Sequence, residues 1–242
     1  AILAGRALVT AHRGDVEATR ALADEAIRLS VPSGAAPARR TAAWAMGLVE
    51  LSLDRPAQAD HHLGPLVQEA RSAGLAEVGE FPYAADEVEA LIGVGRLGEA
   101  EFLLDWFGGL ARTSQRLGAL GVSGRCRGLI HMARSELAEA QSVLEDAVTR
   151  LTDVSRPFEL ARALLALGVT QRHAMRKARA RSSLEASLAL FERLGARLWS
   201  EKARGELASI GGRTPAGDAL TSTERRVAAL VAEGRTNREG AA

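Results

Sequence analysis

Few residues in this chain have types and spacings suited to chemistry. Five histidines and one cysteine stand among 242 residues. His61-His62 is the single adjacent histidine pair, but neighbours on a helix point about 100° apart, so the two rings cannot close on one metal without further ligands. A solvated or partly packed pair is expected. Cys126 and His131 have no clear acid or base partner at hand, so the thiol is expected to be a small buried hydrophobe rather than a nucleophile. No Cys/His zinc spacing, nucleophile elbow or Gly-x4-Gly-Lys-Ser/Thr loop occurs. The expectation is therefore no catalytic residue, no metal site, no cofactor and no enzyme. Binding chemistry remains. Trp44 and Trp106 are candidates to line a groove. So is Arg176, within the basic run Arg172, Arg176, Lys177, Arg179 and Arg181, which suits either phosphates or a solvated hairpin tip.

The elements that must position these residues are announced by a repeated beat. Ala18-x3-Leu22-x3-Ala26 returns as Ala59-x3-Leu63-x3-Val67, Ala100-x3-Leu104-x3-Gly108, Ala140-x3-Leu144-x3-Val148 and Ala180-x3-Leu184-x3-Leu188, the alanines 41, 41, 40 and 40 residues apart. Positions four apart share a helix face, so each beat marks a buried stripe with a small residue at its head. Twelve residues before the alanine stand Gly47, Gly128 and Gly168, small residues that suit a closely approaching partner helix. Each unit thus reads as a helical hairpin that needs its neighbours to bury its apolar face. The fold expected is all-α, an α-solenoid of about five hairpins over residues 1–210.

Turns fall at Arg13-Gly14-Asp15, Asp54-Arg55-Pro56 and Gly95-Arg96-Leu97-Gly98, where glycine stops one helix and aspartate or proline opens the next. The segment Val31 to Pro37 reads as the longest loop within the array. Phe102, Trp106 and Phe107 are expected to be mainly core. A helix over about 197–210, carrying Trp199, is expected to cap the open end of the stack.

Composition agrees. The chain is 47% hydrophobic and 25% charged, rich in Ala, Arg, Leu and Glu, and poor in β-branched and aromatic residues, which favours helix over strand. The net charge of +1 hides a split: residues 1–110 carry 9 basic and 16 acidic side chains, and residues 111–242 carry 22 and 14. A basic C-terminal half suggests an anionic partner, an acidic neighbouring surface, or two differently solvated faces. The longest apolar run, Leu160 to Val169, is broken by Arg162 and is far shorter than a membrane span. With one cysteine and no signal peptide, a reduced cytoplasmic setting without membrane contact is expected. The chain opens at Ala1 in what reads as mid-helix, as a fragment of something longer would.

After Gly211-Gly212, a linker over 211–219, the sequence changes character. Thr221 with Glu224 forms a capping box, Val227, Leu230 and Val231 share a helix face, Gly234 stops the helix, and Arg235-Thr236-Asn237 turns into another. In order and spacing, Leu220-Thr221, Glu224, Val227, Leu230-Val231, Gly234 and Thr236-Asn237-Arg238-Glu239-Gly240-Ala241 closely resemble the start of the LuxR-type DNA-binding domain. The preceding array is similar to the tetratricopeptide-like region of large MalT-like regulators of that family, although its unit is longer than the roughly 34 residues of the standard repeat.

The resemblance implies a transcriptional regulator whose array senses a small-molecule or protein effector, whose whole form binds DNA and can self-associate, and whose ATP-binding module lies upstream. Residues 220–242 would be an incomplete DNA-binding domain. Gly240 replaces a core isoleucine, and the major-groove helix lies beyond Ala242. Of this stretch, Thr236, Asn237 and Arg238 would touch only the phosphate backbone, and the fragment alone is not expected to select a sequence. The alternative is a stand-alone adaptor that binds a protein partner, with the tail folded back as a capping hairpin.

Overall fold

In the computed structural model the chain divides into two units, residues 1–210 and 211–242. The structure describes residues 1–74 and 82–210, apart from the side chains of 31–33. The linker, the stretch 220–242 and with it Thr236, Asn237 and Arg238 lie outside the described residues.

Every regular element among the described residues is an α-helix: α1 (Ile2–Arg13), α2 (Val16–Ser33), α3 (Ala36–Ser52), α4 (Pro56–Ser72), α5 (Ala84–Gly93), α6 (Leu97–Ser114), α7 (Leu117–Ala133), α8 (Leu137–Asp153), α9 (Pro157–His173), α10 (Lys177–Leu194) and α11 (Arg197–Ile210). Each packs on its neighbour in sequence, and the odd-numbered helices also pack on one another in series. The unit is an array of hairpins whose odd helices form the inner wall.

The expected stripes line the seams. Ala59, Ala100, Ala140 and Ala180, with Leu63, Leu104, Leu144 and Leu184, are buried. Those leucines occupy space that a side chain at the facing position would need. A Cβ on Gly168 would lie 2.5 Å from Leu184 Cγ, and Gly47 and Gly128 meet Leu63 and Leu144 in the same way. In the first hairpin the register differs by one residue from the beat. Thr19, Ala23 and Ala26 are buried, whereas Ala18 and Leu22 are half-buried. The reason is where α2 starts. Asp15 caps it, its Oδ1 accepting from the Ala18 N–H at 3.1 Å, which places Thr19 where the later units have alanine. Thr19 takes its hydroxyl into the seam by donating to the Asp15 carbonyl at 2.6 Å.

A second periodicity is visible only in the backbone. Residues with left-handed φ occur at Gly14, Gly34, Asp54, Gly74, Gly95, Gln115, Ser135, Ser155, Met175 and Gly195, always 20 or 21 positions apart. One such residue reverses the chain at each described helix-to-helix turn. It also removes the long loop expected over 31–37: α2 continues through Pro32 and stops where Gly34 turns left-handed at φ 65, leaving two residues before α3. Proline near a helix end loses little there, and the left-handed residue, not the proline, sets the boundary.

α11 does more than cover an open end. Arg197 Nη2 donates to the Gly14 carbonyl at 3.1 Å, Leu198 packs over Gly14, and Lys202 Nζ donates to the Leu51 carbonyl at 2.8 Å and pairs with Asp54. The last helix therefore rests on the turns of the first two hairpins, and the array closes on itself.

Candidate functional site

Because the array closes, side chains from opposite walls meet in its interior. Arg162 of α9 reaches α5, where Nη1 donates to Asp86 Oδ1 at 2.6 Å and Nη2 to Glu89 Oε2 at 2.7 Å. Arg125 of α7 donates from Nη1 to the same Glu89 oxygen at 2.6 Å. Trp44 of α3 donates its indole N–H to Asp86 Oδ2 at 2.7 Å. The Arg162 and Arg125 side chains are only 2% and 1% exposed, so these are desolvated charges held by the carboxylates of α5. Such an arrangement persists only where each charge is compensated.

The electrostatics follow from that packing. Burial alone would raise the Glu89 carboxyl, but Arg162 and Arg125 outweigh it and hold it down at about 2. Burial likewise opposes ionisation of Glu159, and the same two guanidinium groups keep it below the usual carboxylate range. Arg162 loses by burial and gains more from Asp86, Glu89 and Glu159, so it stays charged. Cys126, next to this network, is 0% exposed. Burial pushes its thiol up to about 12, and its S–H points at the Ala85 carbonyl at 3.6 Å, which leaves no thiolate for nucleophilic chemistry.

Beside the network lies a cavity of about 780 Å³, walled by His12, Trp44, Phe107 and Phe158 and rimmed by Arg116 and Arg156. The rings of His12 and Phe158 meet edge to face at 4.5 Å, and His12 faces Trp44 in the same manner at 6.4 Å. His12 Nδ1 donates to the Leu8 carbonyl at 2.7 Å, which turns its other nitrogen away from the helix. Glu159 also lines the cavity. Its buried Oε2 accepts no hydrogen bond from the described residues, with Arg125 Nη2 at 3.4 Å. Volume, apolar walls and a few polar groups at fixed places are the usual attributes of a small-molecule site.

The three groove candidates are not brought together. Trp44 is in the cavity wall. Trp106 lies on an outer helix, α6, with Arg71 Cζ 5.9 Å from its ring. Arg176 precedes α10 and donates to Gln141 Oε1 at 2.8 Å. Of the three aromatics expected mainly in the core, Phe107 is buried. Phe102 is instead 61% exposed under Arg71 Cζ at 4.6 Å, because it falls on the outward face of α6. His131 does have an acid partner: its Nδ1 lies 2.6 Å from Glu136 Oε2 across the α7–α8 turn. The His61 and His62 rings are 5.3 Å apart, and no group of three or more metal-ligating side chains forms among the described residues.

The interior charges escaped sequence reasoning, but they left a signal. Arg162 interrupts the longest apolar run, and Asp86, Glu87 and Glu89 crowd the otherwise apolar helix α5. The charge split between the halves has an internal outlet too. Arg125, Arg127, Arg134, Arg162 and Lys202 pair with Glu89, Asp105, Glu101, Asp86 and Asp54 of the acidic half.

No family model matches the chain, and a search of curated proteins finds no significant match. No described helix is long and apolar enough to cross a membrane.

Proposed function

We propose that this chain is the effector-sensing arm of a DNA-binding transcriptional regulator, with residues 220–242 opening a LuxR-type helix-turn-helix domain. The observation that carries the proposal is the order and spacing of Leu220-Thr221, Glu224, Val227, Leu230-Val231, Gly234 and Thr236-Asn237 directly after a glycine-rich linker. The interior of the array supports an effector of small-molecule size. Charged pairs and rings from opposite walls meet there, and a cavity of ligand dimensions lies beside them. α11 supplies the route outward, since it ends at Ile210 and bears on the turns of the first two hairpins. An effector with different affinities for two arrangements of the walls would bias the position of α11.

The test is DNA selection from a random-sequence pool by the intact gene product. The expected outcome is enrichment of a discrete site, with none enriched by residues 1–210 alone. If the intact product enriches no site, the regulator reading falls and the adaptor reading takes its place.

A further inference from the structure

The repeat supplies its own comparison for charge. Just before the buried alanines Ala59, Ala100, Ala140 and Ala180 stand Gln58, Glu99, Glu139 and Arg179, and just after them Asp60, Glu101, Gln141 and Arg181. The α4, α6 and α8 units are acidic or neutral at both positions, and the α10 unit is basic at both. An acid suits the first of these positions, because Glu99 and Glu139 lie in the opening turns of α6 and α8 and so face the positive end of the helix dipole. The first turn of α10 has no acid. Lys177 and Arg179 put two positive charges there, against the dipole. In the earlier units the acids are also engaged, Asp60 and Glu99 by Arg96 and Glu101 by Arg134. At the α9–α10 tip Arg172 is held by Glu206 at 2.9 Å and Arg176 by Gln141 at 2.8 Å. Lys177, Arg179 and Arg181 are exposed and make no ion pair with the described residues. Arg176, Lys177, Ala178 and Arg179 line a shallow depression, and Arg181 follows Lys177 on the same face of the helix.

From this we infer that the α9–α10 tip docks on the sugar-phosphate backbone of duplex DNA, with Lys177, Arg179 and Arg181 meeting phosphates and no base being read. Like charges crowded at the wrong end of a dipole cost the folded array stability, and phosphates offset that cost while releasing their counterions. Contacts of this kind position a protein on a duplex without selecting a sequence. An acidic protein surface is the poorer match. Between the cations stand only Met175, Ala178 and Ser182, too little apolar surface for the core of a protein interface. The choice of DNA among polyanions rests on the regulator reading, to which the tip adds a foothold independent of the terminal domain.

The probe is a fluorescent duplex of random sequence, about 25 base pairs long, titrated with the 242-residue chain over a range of salt concentrations and read by anisotropy. Weak, salt-dependent binding is expected. Arg179→Gln with Arg181→Gln should lower the slope of log affinity against log salt by about two and the affinity at low salt by about tenfold. Arg6→Gln with Arg13→Gln removes the same charge from exposed positions of the first hairpin and should leave the slope unchanged. Arg179→Glu separates docking from folding. It installs the acid that α6 and α8 carry, so the thermal midpoint should rise by about 1–2 °C while DNA binding falls. No binding by the parent at low salt overturns the inference. So does an equal loss in the Arg6 and Arg13 variant, an unchanged slope in the Arg179 and Arg181 variant, or competition by poly-glutamate of matched charge as strong as that by unlabelled duplex, which would assign the tip to an acidic protein. The two readings fail separately. Selection of a discrete site by the intact gene product does not need this tip, and sequence-independent binding that depends on Arg179 and Arg181, with no site selected, keeps the tip and discards the regulator.

Discussion

The seams between helices and the interior they enclose use the same eleven described helices under different rules. In the seams one solution recurs from Ala59 to Leu184: alanine and leucine every 40 or 41 positions, faced by glycine at Gly47, Gly128 and Gly168. Inside, nothing repeats. α5 contributes Asp86 and Glu89, α7 contributes Arg125, α9 contributes Glu159 and Arg162, α3 contributes Trp44, and hydrogen bonds link them in one network. A periodic seam serves assembly, because any unit can stack on any other. An aperiodic interior has another use: one arrangement of the walls satisfies its charges, and others do not.

The comparison breaks most readily at Arg162. Replacing it by methionine leaves Asp86 and Glu89 with reduced compensation in a desolvated interior, and the expected loss is about 3–5 kcal/mol, read from the urea midpoint. Removing Asp86 as well should restore part of that loss. A cost below about 1 kcal/mol would mean that the interior tolerates exchange as ordinary apolar packing does.

Acid sharpens the same contrast. Glu89 is held down at about 2 in the folded chain, so its contribution is complete above the ordinary carboxylate range near 4.5 and disappears as pH falls through about 2. That contribution is roughly 3 kcal/mol. A stability profile that is flat between pH 5 and 2 would contradict it, and the Arg162→Met chain should show a shallower decline than the parent.

In the seams, Gly168→Val drives a branched side chain into Leu184, and the expected penalty is about 1–3 kcal/mol, with ligand binding affected only through stability. The smallest effect lies on the surface. Met175 is 73% exposed with φ 59, so Met175→Gly relieves a left-handed side chain while giving up little burial. A gain of about 0.5–1 kcal/mol is expected in thermal unfolding.

The part of the fold legible in the sequence was the periodic part. Ala59 through Leu184 announced their seams because equivalent positions carry equivalent residues, and Gly47, Gly128 and Gly168 announced the facing helix. The first hairpin misled by one residue because Asp15 starts α2 at Val16 and threonine stands where alanine was expected. The backbone period of about 20 was hidden because half of its left-handed positions, including Asp54, Ser155 and Met175, are not glycine. In the site, Trp44 was named among the groove candidates, but His12, Phe158 and Glu159 were not. Those residues meet only because the array closes, and closure is set by α11 meeting Gly14 and Leu51 across 183 and 151 residues of chain. No local pattern records a contact of that separation.

Open arrays of repeats unravel from their ends, because a terminal unit has one neighbour where an internal unit has two. In this array α11 lends the first two hairpins a further neighbour through Arg197 and Lys202. Fraying at either end must first undo a contact with the other. Hydrogen exchange in α1 and α11 should consequently report a common opening event, and cutting the clasp with Arg197→Ala and Lys202→Ala should uncouple the two into separate, faster ones.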